Sequence, residues 1–279
     1  MLLDGERWEP ISSQYQIIVS KQHCFNTDTI LLAHFASPRK KDFCADFGTG
    51  CGTIPLIWSS RYMPRHIYAV ELQDNACSMV QRTLQKNNLE ANITLIHQDL
   101  TTLKPGLTPF TQELDLIACN PPYQEAGTGL VNSDDSKRIA RHEGACTPDD
   151  ICRVASKLLK YGGKLCMCQR PQRLFDIMES MKKVGIMPKR LRLVQQRLSK
   201  APSLFLLEGR KGGNSGMIVE PVLMIEDENG AFSDEMLQIY GDYKQGKREQ
   251  YGRKVNRCRN PNRKFVRFFS KSDRNTTNM

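Results

Sequence analysis

Between residues 43 and 209, short apolar runs alternate with longer segments in which apolar residues recur every three or four positions. A short apolar run bounded by turn residues is typical of a buried strand, and the longer period is that of an amphipathic helix. Strands that alternate with helices predict a mostly parallel sheet. The pattern therefore predicts an α/β fold.

Seven strands are predicted from this pattern. Five should be parallel, namely Phe43–Phe47, His66–Glu71, Ile93–His97, Leu114–Cys119 and 164–168. Two further runs, 189–196 and 204–208, are joined by a link too short for a crossover helix, so they should be antiparallel neighbours at one sheet edge.

Helices are predicted over 53–60, Asp74–Asn87, 147–160 and 171–184. Asp74 is the predicted N-cap of the helix over Asp74–Asn87. Thr147, followed by Pro148 and two aspartates, predicts the start of the third, and Gly162-Gly163 should end it.

Charge divides the chain into two parts. Residues 244–279 hold 12 of the 40 Lys and Arg residues and 2 of the 30 Asp and Glu residues, so this segment accounts for the whole formal charge of +10. Residues 1–243 are predicted to form one domain, which includes an N-terminal cap segment over 1–40. The basic segment 244–279 is predicted to be a separate tail, with a disordered segment as one reading of its composition.

Composition favours a cytoplasmic protein without a metal site. No apolar run approaches the length of about 18 residues that a membrane span requires, and the N-terminus lacks the pattern of a secretion signal. Cys44, Cys119, Cys166 and Cys168 lie in predicted strands, and no cysteines have zinc-site spacing. We therefore expect free thiols in a reducing compartment and no metal site.

Polar residues with binding chemistry follow successive strands. The loop "DFGTGCGT" carries three glycines after the first strand, and it is more compact than the dinucleotide fingerprint, which suits a nucleoside without phosphates. Glu71 ends the second strand, where a carboxylate can accept hydrogen bonds from two ribose hydroxyls. Asp99 follows the third strand and could accept from an adenine amino group. Ligands of open α/β sheets bind at this edge.

The fourth strand ends on Asn120-Pro121-Pro122-Tyr123. Each proline removes a backbone donor and fixes its own φ, so the strand cannot continue through them. The result is a stiff turn that carries an amide, two carbonyls and an aromatic ring at the ligand-binding edge.

The motifs "DFGTGCG", "AVEL", "HQDL" and "NPPY", in this order, resemble those of S-adenosylmethionine-dependent amino-methyltransferases. The segments "FNTDTILLAHF", "IARHE", "ICRVASKLLKYGGK", "QRPQRLFDIM" and "EGRKGG" are similar to the bacterial enzymes that methylate adenine 37 of valine tRNA. The resemblance covers roughly residues 10 to 225. It implies a class I methyltransferase fold, which is a Rossmann-like, mostly parallel sheet of seven strands with an antiparallel edge strand. It also implies S-adenosylmethionine as cofactor and tRNA as substrate.

The resemblance also implies roles for individual residues. Asp46, Gly48 and Gly50 would shape the methionine side of the cofactor pocket, and Glu71 would hold the ribose. Gln98 and Asp99 would bind the cofactor's adenine. Phe25 and Asp28 would close the pocket from the N-terminal side, although Asp28 could instead be the N-cap of a helix. Asn120 belongs to both the cofactor pocket and the catalytic turn.

The NPPY turn suits methylation of a planar amino nitrogen. The lone pair of such a nitrogen is shared with its π-system, so catalysis depends on positioning and electrostatics rather than on a strong base. The side-chain oxygen of Asn120 and the carbonyl of Pro121 could each accept one amino hydrogen. Pro122 would keep the turn rigid, and Tyr123 could stack on the base. The same tetrapeptide occurs in enzymes that methylate a glutamine amide, so the turn alone does not specify adenine.

Basic segments favour RNA as the substrate. Lys137, Arg138, Arg141 and His142 follow the turn closely and suit phosphates at the substrate entrance. Arg210 and Lys211 are predicted as a second basic contact. The tail interleaves Arg and Lys with Tyr and Phe, which favours nonspecific affinity for looped RNA. Three alternatives remain: a protein glutamine-N5 methyltransferase that acts on a translation factor, a non-catalytic RNA-binding protein on a methyltransferase scaffold, and a methyltransferase of adenine in DNA or ribosomal RNA.

Overall fold

The computed structural model describes residues 1–106, 110, 112–122 and 146–241. The strands are β1 (Arg7–Pro10), β2 (Gln16–Val19), β3 (Phe43–Phe47), β4 (His66–Glu71), β5 (Ile93–His97), β6 (Leu114–Cys119), β7 (Leu159–Gln169), β8 (Ile186–Gln195), β9 (Leu204–Lys211), β10 (Ile218–Val219) and β11 (Leu223–Met224). The helices are α1 (Thr27–Ala36), α2 (Thr53–Arg61), α3 (Asp74–Asn87), α4 (Pro148–Leu158), α5 (Leu174–Lys183) and α6 (234–241). None of these described helices is long and apolar enough to cross a membrane.

The central sheet has the order β10-β8-β9-β7-β6-β3-β4-β5, and β11 also pairs with β8. Strands β3 to β7 are parallel to one another, which confirms the predicted α/β sheet of seven long strands. The two-residue strands β10 and β11 are additions at the β8 edge.

The antiparallel strand is β9, and it lies between β7 and β8 rather than at the edge that the sequence suggested. Helix α5 returns the chain so that β8 runs in the direction of β7, one position away from it. The short link after β8 then brings β9 back into the gap between them. The predicted antiparallel pairing of the two runs, which are β8 and β9, is confirmed. The sequence did not predict that β9 would lie between β7 and β8.

Helices cover both faces of the sheet. On one face, α1, α2 and α3 pack with the β1–β2 hairpin around buried residues that include Ile18, Leu31, Trp58 and Val80. The indole Nε1 of Trp58 donates to the carbonyl of Ala33 at 3.0 Å, which joins α2 to α1. Helices α4 and α5 cover the other face. The N-terminal segment therefore shares the hydrophobic core of the sheet.

The predicted strand bounds of β3 to β6 are confirmed, but several helix bounds differ. Helix α4 has the predicted start, with a capping box between Thr147 and Asp150, but it ends at Leu158. Gly162 and Gly163 lie inside β7, next to a register shift in its pairing with β6. A Cβ on Gly163 would lie 2.9 Å from the carbonyl oxygen of Lys160, so this glycine allows a close backbone approach within the strand.

Two other helix starts also differ from the prediction. The N-cap of α3 is Gln73, and Asp74 is the first helical residue. Residues Pro171–Arg173 form a 3₁₀ turn before α5 begins.

Candidate functional site

The predicted ligand residues meet at one edge of the sheet. The glycine loop follows β3, Glu71 ends β4, Gln98 and Asp99 follow β5, and Asn120 follows β6. Since these strands are parallel and adjacent, their carboxyl ends form one continuous edge. Motifs that are far apart in the sequence are therefore neighbours at this edge.

The glycine loop turns from β3 into α2 with Gly48 at φ +72°, Gly50 at φ +57° and Gly52 at φ +90°. A Cβ on Gly48 or Gly50 would have no heavy atom within 4 Å, so both positions border open space. At Gly52 a Cβ would lie 3.3 Å from Val80 Cγ2, so this glycine serves the packing of α2 against α3. The loop therefore leaves room for a ligand at its first two glycines.

Glu71 is 6% exposed and holds the loop in place. Its Oε2 accepts from the backbone N–H of Gly50 at 2.8 Å, and its Oε1 accepts from the N–H groups of Leu72 and Gln73 at 2.9 Å each. A carboxylate offers about four acceptor positions. Three are therefore occupied by backbone donors, and about one is left for a further donor, fewer than the two ribose hydroxyls that the sequence analysis expected Glu71 to accept from.

Asp46 is 2% exposed at the end of β3. Burial, with a smaller contribution from the nearby Glu71 charge, raises the pKa of its carboxyl from 3.8 to about 7. The hydroxyl of Thr49, which donates to Asp46 Oδ2 at 2.6 Å, opposes this increase. Asp46 is therefore a group whose charge changes near neutral pH beside the glycine loop.

Asp99 and Gln98 lie just beyond β5. Asp99 caps a 3₁₀ turn, and its Oδ1 accepts both from the backbone N–H of Thr101 and from the Thr101 hydroxyl, each at 2.8 Å. Gln98 donates from its backbone N–H to the carbonyl of Glu71 at 2.9 Å and from Nε2 to the Thr102 hydroxyl at 2.7 Å. The bond from Gln98 to Glu71 ties the end of β5 to the end of β4, and the other bonds hold the turn that follows β5.

Asn120 is held from two sides. Its Nδ2 donates to Thr29 Oγ1 on α1 at 2.9 Å, and its Oδ1 accepts from Cys168 Sγ on β7 at 3.1 Å. Thr29 and Cys168 are contacts that sequence reasoning missed. The available signal was the spacing Asn26-x-x-Thr29, which is that of an N-cap and the third residue of its helix.

The start of α1 lies beside Asn120, to which it is joined through Thr29. The N-cap of α1 is Asn26, so Asp28 lies in the first turn instead of capping the helix. The Tyr240 hydroxyl of α6 donates to Thr27 Oγ1 at 2.9 Å. Phe25 is partly buried against the core cluster on the α1 face of the sheet.

The other residues of the NPPY turn and of the basic segment after it fall into two groups. Pro121 and Pro122 follow Asn120, and Gln169 Nε2 lies 3.5 Å from the Pro122 carbonyl oxygen. The positions outside the described residues are Tyr123, Lys137, Arg138, Arg141 and His142.

Arg210 and Lys211 do not lie at the carboxyl ends of the parallel strands, where Asn120 is. Because β9 is antiparallel, Arg210 pairs with Lys164, while Phe205 pairs with Gln169 at the Asn120 edge. Five residues of strand correspond to ~16 Å. Lys211 Nζ also donates to the carbonyl of Leu159 at the amino end of β7. The two residues therefore lie at the opposite edge of the sheet.

The chain is similar to known proteins over most of its own length and most of theirs. The tRNA1(Val) (adenine(37)-N6)-methyltransferase of Photobacterium profundum is 24% identical over 220 residues, which cover 78% of this chain and 90% of the relative. The protein of the same name from Photorhabdus laumondii is 26% identical over 233 residues, 82% and 92% of the two chains.

Solved structures support the fold. A predicted O-methyltransferase of Agrobacterium tumefaciens matches with a TM-score of 0.61 and 20% identity, over 78% of this chain and 97% of that one. TYW2 of P. horikoshii in complex with MeSAdo matches with a TM-score of 0.52 and 11% identity, over 76% and 74%. At this identity the likeness shows a shared fold.

The family model for the methyltransferase small domain matches residues 16–187. This range begins at β2 and ends in β8, so it contains the glycine loop, Glu71, Asp99 and Asn120. The chain therefore belongs to the methyltransferase small domain family.

Proposed function

We propose that this protein transfers the methyl group of S-adenosylmethionine to the exocyclic amino nitrogen of adenine in tRNA, at the adenine 3′ of the anticodon in valine tRNA. The substrate is inferred from the names of the full-length relatives. The observation that carries the reaction is the position of Asn120, whose side-chain amide is anchored at the ligand-binding edge beside the glycine loop.

The residues at this edge fit the cofactor. Open space at Gly48 and Gly50 admits a ligand against the loop backbone. Glu71 has about one acceptor position for a ribose hydroxyl, and Asp99 with Gln98 at the end of β5 is suited to an adenine. Asp46 adjoins the loop on the methionine side, and Phe25 and Asp28 would close the pocket from α1. S-adenosylmethionine supplies an electrophilic methyl group when bound.

Asn120 and Pro121 would position the acceptor nitrogen. The amide oxygen of Asn120 and the carbonyl of Pro121 each accept one amino hydrogen, which returns electron density to the nitrogen. Pro122 makes the turn rigid, and Tyr123 stacks on the base. A base inside a loop must be swung out first, at a few kcal/mol, so an already unstacked adenine is favoured.

The tRNA would be held by basic side chains near this turn. Lys137, Arg138, Arg141 and His142 are proposed as phosphate contacts at the entrance, because they follow Tyr123 in the chain. Arg210 and Lys211 are proposed only as contacts with a more distant part of the tRNA, since they lie at the other sheet edge. The tail 244–279 is proposed to add nonspecific affinity for RNA.

We place this activity in the cytoplasm. The nine cysteines that the structure describes are free thiols, seven of them buried, as expected in a reducing compartment.

The test is methyl transfer from labelled S-adenosylmethionine to a tRNA fraction and, separately, to a protein fraction. We expect label in tRNA and N6-methyladenosine in its nucleosides by mass spectrometry. Asn120→Ala should abolish the transfer, while calorimetry still detects cofactor binding. Label in the protein fraction alone would replace adenine by glutamine as the acceptor, and absence of cofactor binding by the wild-type protein would support the non-catalytic reading.

A further inference from the structure

A hydrogen-bonded chain joins the N-cap of α1 to Asn120. The side chains in it are Asn26, Thr29 and Asn120, and the last two are separated by 91 residues of sequence. An asparagine amide has an acceptor end and a donor end of nearly the same shape. Which end faces the acceptor nitrogen therefore depends on the partners of the amide.

The direction of this chain follows from one backbone group. The backbone N–H of Thr29 donates to Asn26 Oδ1 at 3.0 Å, so the atom of Asn26 that faces Thr29 must be its oxygen. Thr29 Oγ1 also lies 3.0 Å from Asn26 Oδ1 and donates its single hydroxyl proton to that oxygen. Thr29 Oγ1 can then only accept from Asn120, which must present Nδ2 at 2.9 Å.

The opposite end of the Asn120 amide is consequently its oxygen. Cys168 Sγ lies 3.1 Å from Asn120 Oδ1 and acts as the donor there. A thiol is a weak donor, and an amide oxygen has two acceptor positions. Cys168 therefore agrees with the orientation set by Thr29 and weakens Oδ1 little as an acceptor.

We propose that Thr29 is a positioning residue that makes Asn120 present its amide oxygen, rather than its NH₂ group, to the amino nitrogen being methylated. This proposal rests on the proposed function. A reversed amide would place donors against the hydrogens of the acceptor amino group and would remove the acceptor that returns electron density to it. Thr29 touches neither substrate nor cofactor in this role and acts through Asn120.

The test compares three variants at α1. Thr29→Val keeps the shape of the side chain and the backbone cap to Asn26 but removes the hydroxyl, so the Asn120 amide loses the constraint that Thr29 places on its orientation. Thr29→Ser restores the hydroxyl. Thr27→Val is the matched control, because it removes a hydrogen bond of the same kind in the same helical turn, from the Tyr240 hydroxyl at 2.9 Å, without contact to the chain that ends at Asn120.

We expect kcat of Thr29→Val for methyl transfer to tRNA to fall by between about twofold and about twelvefold, the range that the loss of one net hydrogen bond produces. The dissociation constant of S-adenosylmethionine and the KM for tRNA should stay near wild type. Thr29→Ser should recover most of kcat, and Thr27→Val should keep it, with melting temperatures of all variants measured alongside.

Three results would overturn the proposal: a wild-type kcat in Thr29→Val, no recovery in Thr29→Ser, or an equal fall in Thr27→Val. If Thr29→Val does not fold, Thr29→Ser and Thr29→Ala decide, since serine must be the more active of the two at equal melting temperature. A wild-type protein that methylates no tRNA adenine would instead refute the proposed function.

Discussion

Replacing Asp46 by asparagine should change how the stability of the protein depends on pH. Asp46 is buried, and its pKa is raised from 3.8 to about 7. In the unfolded chain the same carboxyl ionises near pH 3.9. Between these two values the folded state holds a proton that the unfolded state has released. Asparagine has no such proton to lose.

The sign follows from this difference in bound protons. The unfolded state binds fewer protons than the folded state between about pH 4 and about pH 7, so the wild-type free energy of unfolding falls as the pH rises through this window. From pH 5.5 to pH 7.5 the two pKa values give a fall of about 2 kcal/mol from this group alone. Above pH 7.5 the difference should level off.

Urea unfolding followed by circular dichroism, at pH 5.5, 6.5, 7.5 and 8.5, measures this effect. The stability of Asp46→Asn relative to wild type should rise by about 2 kcal/mol between pH 5.5 and 7.5. Any constant penalty of the buried amide shifts all four points equally and leaves the slope intact. A difference that is flat over this range would refute the raised pKa of Asp46 in the folded protein.

Thr49→Val provides a second check on the same carboxyl. The Thr49 hydroxyl lowers the pKa of Asp46, so its removal should move the loss of stability to higher pH. An unchanged pH profile in this variant would mean that the hydroxyl does not stabilise the ionised form.

Three further predictions concern the helix cap, the glycine loop and the tail. Thr147→Ala should lower the free energy of unfolding by about 1 kcal/mol in urea titrations, because it removes the capping box of α4; an unchanged midpoint would contradict the cap. Gly50→Ala should also lower stability by about 1 kcal/mol, since φ is positive there. Its Cβ would enter the open space of the site, so S-adenosylmethionine affinity by calorimetry should fall more steeply than this; equal cofactor affinity would place the ligand elsewhere. Deleting 246–279 should weaken tRNA binding and flatten its dependence on salt, measured by filter binding, and an unchanged salt slope would mean that the tail does not contact phosphates.

Several strands were predictable residue by residue, and the reason is local. Polar or turn residues bound each of four apolar runs, so the local sequence indicates where each strand begins and ends. The four runs are Phe43–Phe47, His66–Glu71, Ile93–His97 and Leu114–Cys119. The prediction for Gly162 and Gly163 was wrong because a glycine pair marks either a helix end or an irregular strand. The proximity of the β6 backbone decides between these two outcomes.

The position of the site was predictable for a similar reason. Asp46, Glu71, Asp99 and Asn120 each follow a strand, and the carboxyl ends of parallel neighbours share one edge. What the sequence by itself determined is therefore the order of the strands along the chain, the motifs at their ends and, through resemblance, the family.

The partners of each side chain were decided only by the tertiary structure. Glu71 accepts from Gly50, and Asn120 is held by Thr29 and Cys168, because the ends of four strands (β3, β4, β6 and β7) and the start of α1 converge there. The position of β9 carries Arg210 to the opposite edge. Hydrogen bonds depend on distances of about 3 Å, and contacts between residues that are remote in sequence reach that distance only when the sheet and its helices have packed.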